Sequence, residues 1–128
     1  MVEAAEDVRV RKLVLVVEDE LFLALDLDQA LTDGGFQVQG PAATVARALD
    51  LIANEKPDAA VLDVTLGAEK VTPVAIMLKS LNIPFVLATA SDAAELARHD
   101  VLAHVPNLGK PTDMSRLVSV IQNLKSAE

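Results

Sequence analysis

Residues 13–17 read Leu-Val-Leu-Val-Val and stop abruptly at Glu18-Asp19-Glu20. An apolar, β-branched run without polar alternation is what a strand covered on both faces looks like. The rest of the chain repeats the unit. Leu23, Leu27 and Leu31 recur at helical spacing, with Asp26, Gln29 and Asp33 on another face, and Gly34-Gly35 supplies a left-handed helix end. A weaker strand follows over 36–40. Val45, Leu49 and Ile52 then mark a helix with Arg47, Asp50 and Asn54 outward, closed by Pro57. The third strand is Ala59-Ala60-Val61-Leu62, running into Asp63. Beyond a loop through Gly67, Thr72-Pro73 reads as N-cap and first helical residue, and Val74, Leu78 and Leu81 carry the buried stripe. Phe85-Val86-Leu87-Ala88 forms a fourth strand ending at Thr89, and the Ala-rich stretch 92–98 is at best a weak helix. A fifth strand is expected within 101–109, where Pro106 suits an edge or a strand end. Thr112-Asp113 caps a last helix with Leu117, Ile121 and Leu124 inward. Strands alternating with helices in this way specify an α/β domain with a mostly parallel sheet.

Composition narrows the function classes. A net charge of −8 disfavours a polyanion such as nucleic acid as partner, and three Phe as the whole aromatic content give no stacking platform. Without Cys there is neither a disulfide framework nor a thiolate zinc site, and two isolated His offer little to a metal. No apolar run reaches the roughly 18 residues of a membrane span, and the acidic N-terminus is unlike a signal peptide. The expectation is a cytoplasmic protein in which residues 1–10 form a flexible arm and 11–128 one domain, with no second, effector domain.

Functional groups of a parallel sheet gather at the carboxyl ends of its strands. Those ends carry Glu18-Asp19, Asp63, Thr89 and Lys110. Singly, each has an ordinary explanation. Asp19 could cap the next helix, Thr89 could bond nearby backbone, and Lys110 could be a solvated lysine. Asp63 is harder to dismiss, because a carboxylate ending an apolar central strand needs a partner. Together, three converging carboxylates call for a cation, and an all-oxygen set favours a hard ion such as Mg²⁺. A lysine and a hydroxyl opposite such an ion are what a transferring phosphoryl group requires. Asp63, free of capping duty, is the candidate nucleophile.

Leu15-Val16-Val17-Glu18-Asp19-Glu20, Val61-Leu62-Asp63-Val64, Leu87-Ala88-Thr89-Ala90 and Gly109-Lys110-Pro111 together resemble the receiver domain of a two-component response regulator, over roughly residues 10–126. The resemblance implies a flavodoxin-like, doubly wound (βα)5 fold with strand order 2-1-3-4-5. It implies that Asp63 accepts a phosphoryl group from a histidine kinase, and that Glu18, Asp19, Asp63 and the backbone carbonyl of Thr65 hold Mg²⁺. Thr89 and Lys110 would each take a phosphoryl oxygen, and the Lys110-Pro111 bond would be cis. Such a protein is a phosphoacceptor rather than an enzyme, with self-phosphorylation and slow self-dephosphorylation only. The chain departs from the ordinary receiver at Asn107, three residues before the lysine, where Tyr or Phe is usual. Coupling of the threonine to an inward-turning aromatic is therefore not expected. That feature, the helix-poor segment after Thr89, and the stretch Gly67-Ala68-Glu69…Pro73-Val74-Ala75 resemble the stand-alone FAT GUY receivers that work with HWE-type kinases. Leu87-Ala88-Thr89 fits that subgroup's signature, whereas Ala90-Ser91-Asp92 replaces its glycine, hydrophobic residue and aromatic.

Two rival readings differ in class. A haloacid-dehalogenase-like phosphatase also uses a strand-end Asp, Mg²⁺, Thr and Lys, but carries a second acid where this chain has Thr65, and needs a longer chain. A pseudo-receiver would bind partners without phosphorylation, yet all five site positions hold competent residues. No Gly-rich loop follows the first strand, so dinucleotide binding has no support. Within the receiver reading, the expected role is a phosphate sink or kinase feedback regulator that competes with another response regulator.

Overall fold

The computed structural model describes residues 12–124; the arm expected over residues 1–10 lies outside them. In chain order the elements are β1 (Leu13–Val17), α1 (Leu21–Asp33), β2 (Gln37–Ala42), α2 (Val45–Asn54), β3 (Ala59–Leu62), β4 (Thr65–Leu66), β5 (Glu69–Lys70), α3 (Thr72–Ser80), β6 (Phe85–Leu87), α4 (Ala93–Ala97) and α5 (Met114–Asn123). Every residue of β1, β3 and β6 is buried. They pair in parallel in the order β2-β1-β3-β6.

The pleat sorts the strand side chains into two cores. Leu15, Val17, Ala60, Leu62 and Leu87 face one way and meet Ala48 and Ile52 of α2 and Val74, Ala75 and Leu78 of α3. Val14, Val16, Val61 and Val86 face the other way, against Leu27 and Leu31 of α1 and Leu117 and Ile121 of α5. Helices on both faces of a parallel sheet make the doubly wound, flavodoxin-like α/β fold.

The fifth strand is reduced to a single bridge, Leu87 to Asn107. Leu87 donates to the Pro106 carbonyl at 2.8 Å and Leu108 donates to the Leu87 carbonyl at 2.7 Å. Thus 106–108 takes the fifth position of the order 2-1-3-4-5 without growing into a strand. Pro106 has no N–H for the ladder, and Gly109 turns the chain away at φ 81°.

Other boundaries shift for local reasons. At the end of α1, Phe36 donates to the Leu31 carbonyl and Gly35 to the Thr32 carbonyl, with Gly35 at φ 92°. These are the paired bonds of a Schellman ending. β2 runs beyond residue 40 because it bulges at Gly40-Pro41, so that Leu15 pairs with Gln39 but Val17 pairs with Ala42. Gly40 lies at φ 93°, and a Cβ there would approach the Ala42 nitrogen to 2.7 Å. α3 is capped by Val71 rather than Thr72: the Val71 N–H is held by the Val64 carbonyl, and its own carbonyl receives Val74 and Ala75. Leu81, expected inside, is 36% exposed, because the helix has ended and Asn82 turns at φ 59°.

A short antiparallel ribbon, β4-β5, is an element that apolar patterning did not indicate. It pairs Thr65 with Lys70 and Leu66 with Glu69 around Gly67-Ala68. Gly67, at φ 60°, supplies the left-handed residue the tight turn needs.

Candidate functional site

The ends of β1 and β3 aim two carboxylates at one point. The Asp63 N–H donates to the Val17 carbonyl at 2.9 Å, and the Glu18 N–H donates to the Ala42 carbonyl at 2.9 Å. The β2 bulge is what brings Ala42 to that position. Both side chains are buried. Glu18, Asp19 and Asp63 each present a carboxylate oxygen within 4.8 Å of the other two.

Asp19 is exposed and does not cap α1, whose N-cap is Glu20 without a side-chain bond. Its Oδ2 instead accepts the Gly67 N–H at 2.8 Å, which fixes the carboxylate against the β4-β5 turn. Glu18 Oε2 accepts the Glu20 N–H at 3.1 Å.

Lys110 comes from the opposite side. Its Nζ lies 2.8 Å from Asp63 Oδ2 and 3.2 Å from Glu18 Oε1, with its side chain only 15% exposed. It is no solvated surface lysine. The Lys110-Pro111 bond is cis. Burial acts to lower the Lys110 ammonium, but hydrogen bonds to Asp63 and Glu18 outweigh it and leave the group above its ordinary value. Burial raises the Glu18 carboxyl, and the Asp63 charge adds to the rise, against the opposing Glu20 N–H and Lys110.

Thr89 is buried at the end of the β6 segment, and its Oγ1 accepts the Ser91 N–H at 3.2 Å. The ordinary backbone-bonding explanation for this hydroxyl therefore holds, while the residue still lines the site. Asp63, Thr65, Thr89 and Lys110, with Asp19, Gly67 and Ser91, surround a cleft of about 350 Å³. The structure thus brings all six residues singled out from the sequence to one place.

The acid cluster fits a hard divalent cation on a specific ground. Glu18 Oε1 is buried and has no hydrogen-bond partner, although Lys110 stands beside it. One ammonium against three carboxylates leaves excess negative charge that a cation would balance.

No protein-family model matches the chain. It is 31% identical over 120 residues to the transcriptional regulatory protein PdtaR of Mycobacterium tuberculosis, which covers 91% of this chain and 58% of that protein. The chain thus spans a little over half the length of that relative. Among solved structures, the PhyR response regulator REC domain of Erythrobacter litoralis superposes with a TM-score of 0.77 at 25% identity, over 92% of this chain and 97% of that one. A response regulator receiver protein from Sinorhizobium medicae gives a TM-score of 0.77 at 25% identity, over 88% and 93%. In fold and in sequence the chain is similar to response regulator receiver domains.

Four residues make polar contacts that the sequence did not indicate. Glu20 Oε1 lies 3.2 Å from Lys110 Nζ; the sequence shows it as the third acid of Glu18-Asp19-Glu20 but gives it no role of its own. Lys70 joins Thr65 Oγ1 at 3.1 Å to Glu95 Oε2 at 3.3 Å, which ties the ribbon to α4. Glu69 Oε1 accepts the Val45 N–H at the start of α2 at 3.2 Å, a link that depends on the ribbon and had no sequence signal. The fourth is Asn107. Its side chain is bonded directly to the backbone of Thr89. A polar connection stands where the ordinary receiver has its aromatic residue.

Proposed function

We propose that Asp63 accepts a phosphoryl group from the phosphohistidine of a histidine kinase, and that the receiver works by taking phosphate that another response regulator would otherwise receive. The observation that carries the first part is the placement of a buried Asp63 2.8 Å from Lys110 at the floor of an open cleft. Glu18, Asp19, Asp63 and the Thr65 carbonyl would hold Mg²⁺, which when bound supplies positive charge toward the phosphoryl oxygens.

The chain's own groups account for the rest. An Asp63 carboxylate oxygen forms the new P–O bond as the P–N bond breaks, the bonding pair leaving with the imidazole nitrogen. Lys110 and Thr89 receive phosphoryl oxygens, the ammonium by charge and the hydroxyl by turning its proton from Ser91 Oγ, 3.3 Å away, toward the phosphoryl group.

Beside the cleft, α1 presents Leu21, Phe22 and Leu25 at 65%, 79% and 50% exposure. An apolar surface of that kind next to a phosphoacceptor suits a protein donor rather than a small metabolite. Kinases of the HWE type are the proposed donors, on the subgroup resemblance. The short-lived phosphate that a sink needs is supported by Thr65 and Ser91 at the cleft, both too small to shield an acyl phosphate from water.

The test is a reconstituted mixture of kinase, ATP, Mg²⁺ and the output-bearing regulator. Adding this protein should lower phosphorylation of the regulator, and the Asp63→Asn form should not. Equal inhibition by the Asn form would make direct binding the mechanism instead.

A further inference from the structure

We infer that Asn107 is a positioning residue for phosphoryl transfer: its amide holds the Thr89 backbone and the approach to Lys110 in one rigid clamp. The inference rests on the phosphoacceptor reading above.

Asn107 Oδ1 accepts two N–H groups, from Thr89 at 3.2 Å and from Gly109 at 2.9 Å, and Nδ2 donates to the Thr89 carbonyl at 3.3 Å. The amide orientation follows from these partners. Turned over, its NH2 would face two N–H donors. The same residue makes the one backbone bridge of its segment, to Leu87.

The physical need for the clamp lies in the backbone. After Leu108 bonds to Leu87, the chain turns away at Gly109, φ 81°, and cannot supply the next rung of the parallel ladder. That would strand both main-chain groups of Thr89, a buried residue, and unmet buried groups are costly. The Asn107 side chain supplies the missing rung, taking the N–H and giving to the C=O. Its third bond, to Gly109, lies one residue before Lys110. One amide therefore ties together the two residues that would receive phosphoryl oxygens from the side away from the acids. An aspartate at 107 could accept both N–H groups but could not donate to the Thr89 carbonyl. A phenyl ring could do neither job.

The experiment measures phosphorylation by a small acyl-phosphate donor across Mg²⁺ concentrations, for wild type, Asn107→Ala, Asn107→Asp and a control. The control is Ile121→Val, a core change in α5 remote from the cleft, compared with Asn107→Ala for loss of thermal stability. Loss of the clamp should slow maximal phosphorylation roughly tenfold to a hundredfold, the size of effect that misplacement brings. The Mg²⁺ concentration at half-maximal rate should stay unchanged, because the acids are held by other strands. Asn107→Asp, retaining two of three bonds, should recover part of the rate, and Ile121→Val should keep all of it. A wild-type rate in Asn107→Ala, or a slowing matched by Ile121→Val, would overturn the clamp while leaving the phosphoacceptor reading intact. Absence of labelling in the wild type would overturn both.

Discussion

The two flanks of the cleft are built differently. The acidic flank grows from β1 and β3, strands of five and four wholly buried residues, β1 having a parallel neighbour on each side. The opposite flank, carrying Thr89 and Lys110, has a three-residue strand, a five-residue helix and one isolated bridge. Main-chain ladders set the position of the carboxylates. Side-chain hydrogen bonds set the position of the hydroxyl and the ammonium. One half of the site is thus as rigid as the core, and the other half can be moved by breaking a few polar contacts.

The largest expected effect tests that contrast by cavity formation. Leu62 in β3 and Leu102 in the 98–105 turns are both essentially inaccessible, at 0% and 1%. Leu→Ala costs about 2–5 kcal/mol depending on how far the surroundings collapse. Leu62→Ala should fall near the upper end, because its neighbours are laddered. Leu102→Ala should fall near the lower end. Equal losses in urea unfolding would mean that the two flanks are equally rigid.

A smaller effect probes Lys110, the cation that joins them among the described residues. Replacing Lys110 by Met leaves Glu18 and Asp63 buried without their ammonium, and should cost roughly 2–3 kcal/mol in the absence of divalent ions. Part of the loss should return on adding Mg²⁺, since binding only to the folded form stabilises it. Thermal unfolding with and without Mg²⁺ reads both. Smallest of all is Glu20→Gln. Glu20 is 61% exposed, and screening by water limits its pair with Lys110 to about 0.5 kcal/mol or less. A large Glu20 effect would show that the ammonium depends on the exposed acid more than on the buried pair.

The same division explains what the sequence made legible. The strands of the acidic flank announce themselves as apolar runs, so β1 and β3 and the carboxylates at their ends were readable with their bounds. The other flank depends on single residues whose role comes from partners distant in sequence. Nothing in the letters Pro106-Asn107 says that a strand will shrink to one bridge, or that an amide will replace the next rung. The β4-β5 ribbon escaped for a similar reason: two residues per strand carry no periodicity, and only Gly67 marked a turn. Val71 capped α3 in place of Thr72 because the ribbon's closing bond to Val64 fixed where the helix could begin.

The central claim is that Asp63 is the phosphoacceptor, and intact-mass measurement after exposure to a small acyl-phosphate donor and Mg²⁺ tests it most directly. Wild type should gain one phosphoryl group, mapped to Asp63, and Asp63→Asn, which keeps the size but lacks the anionic nucleophile, should gain none. An unlabelled wild type, or an Asn variant labelled to the same extent, would contradict the account.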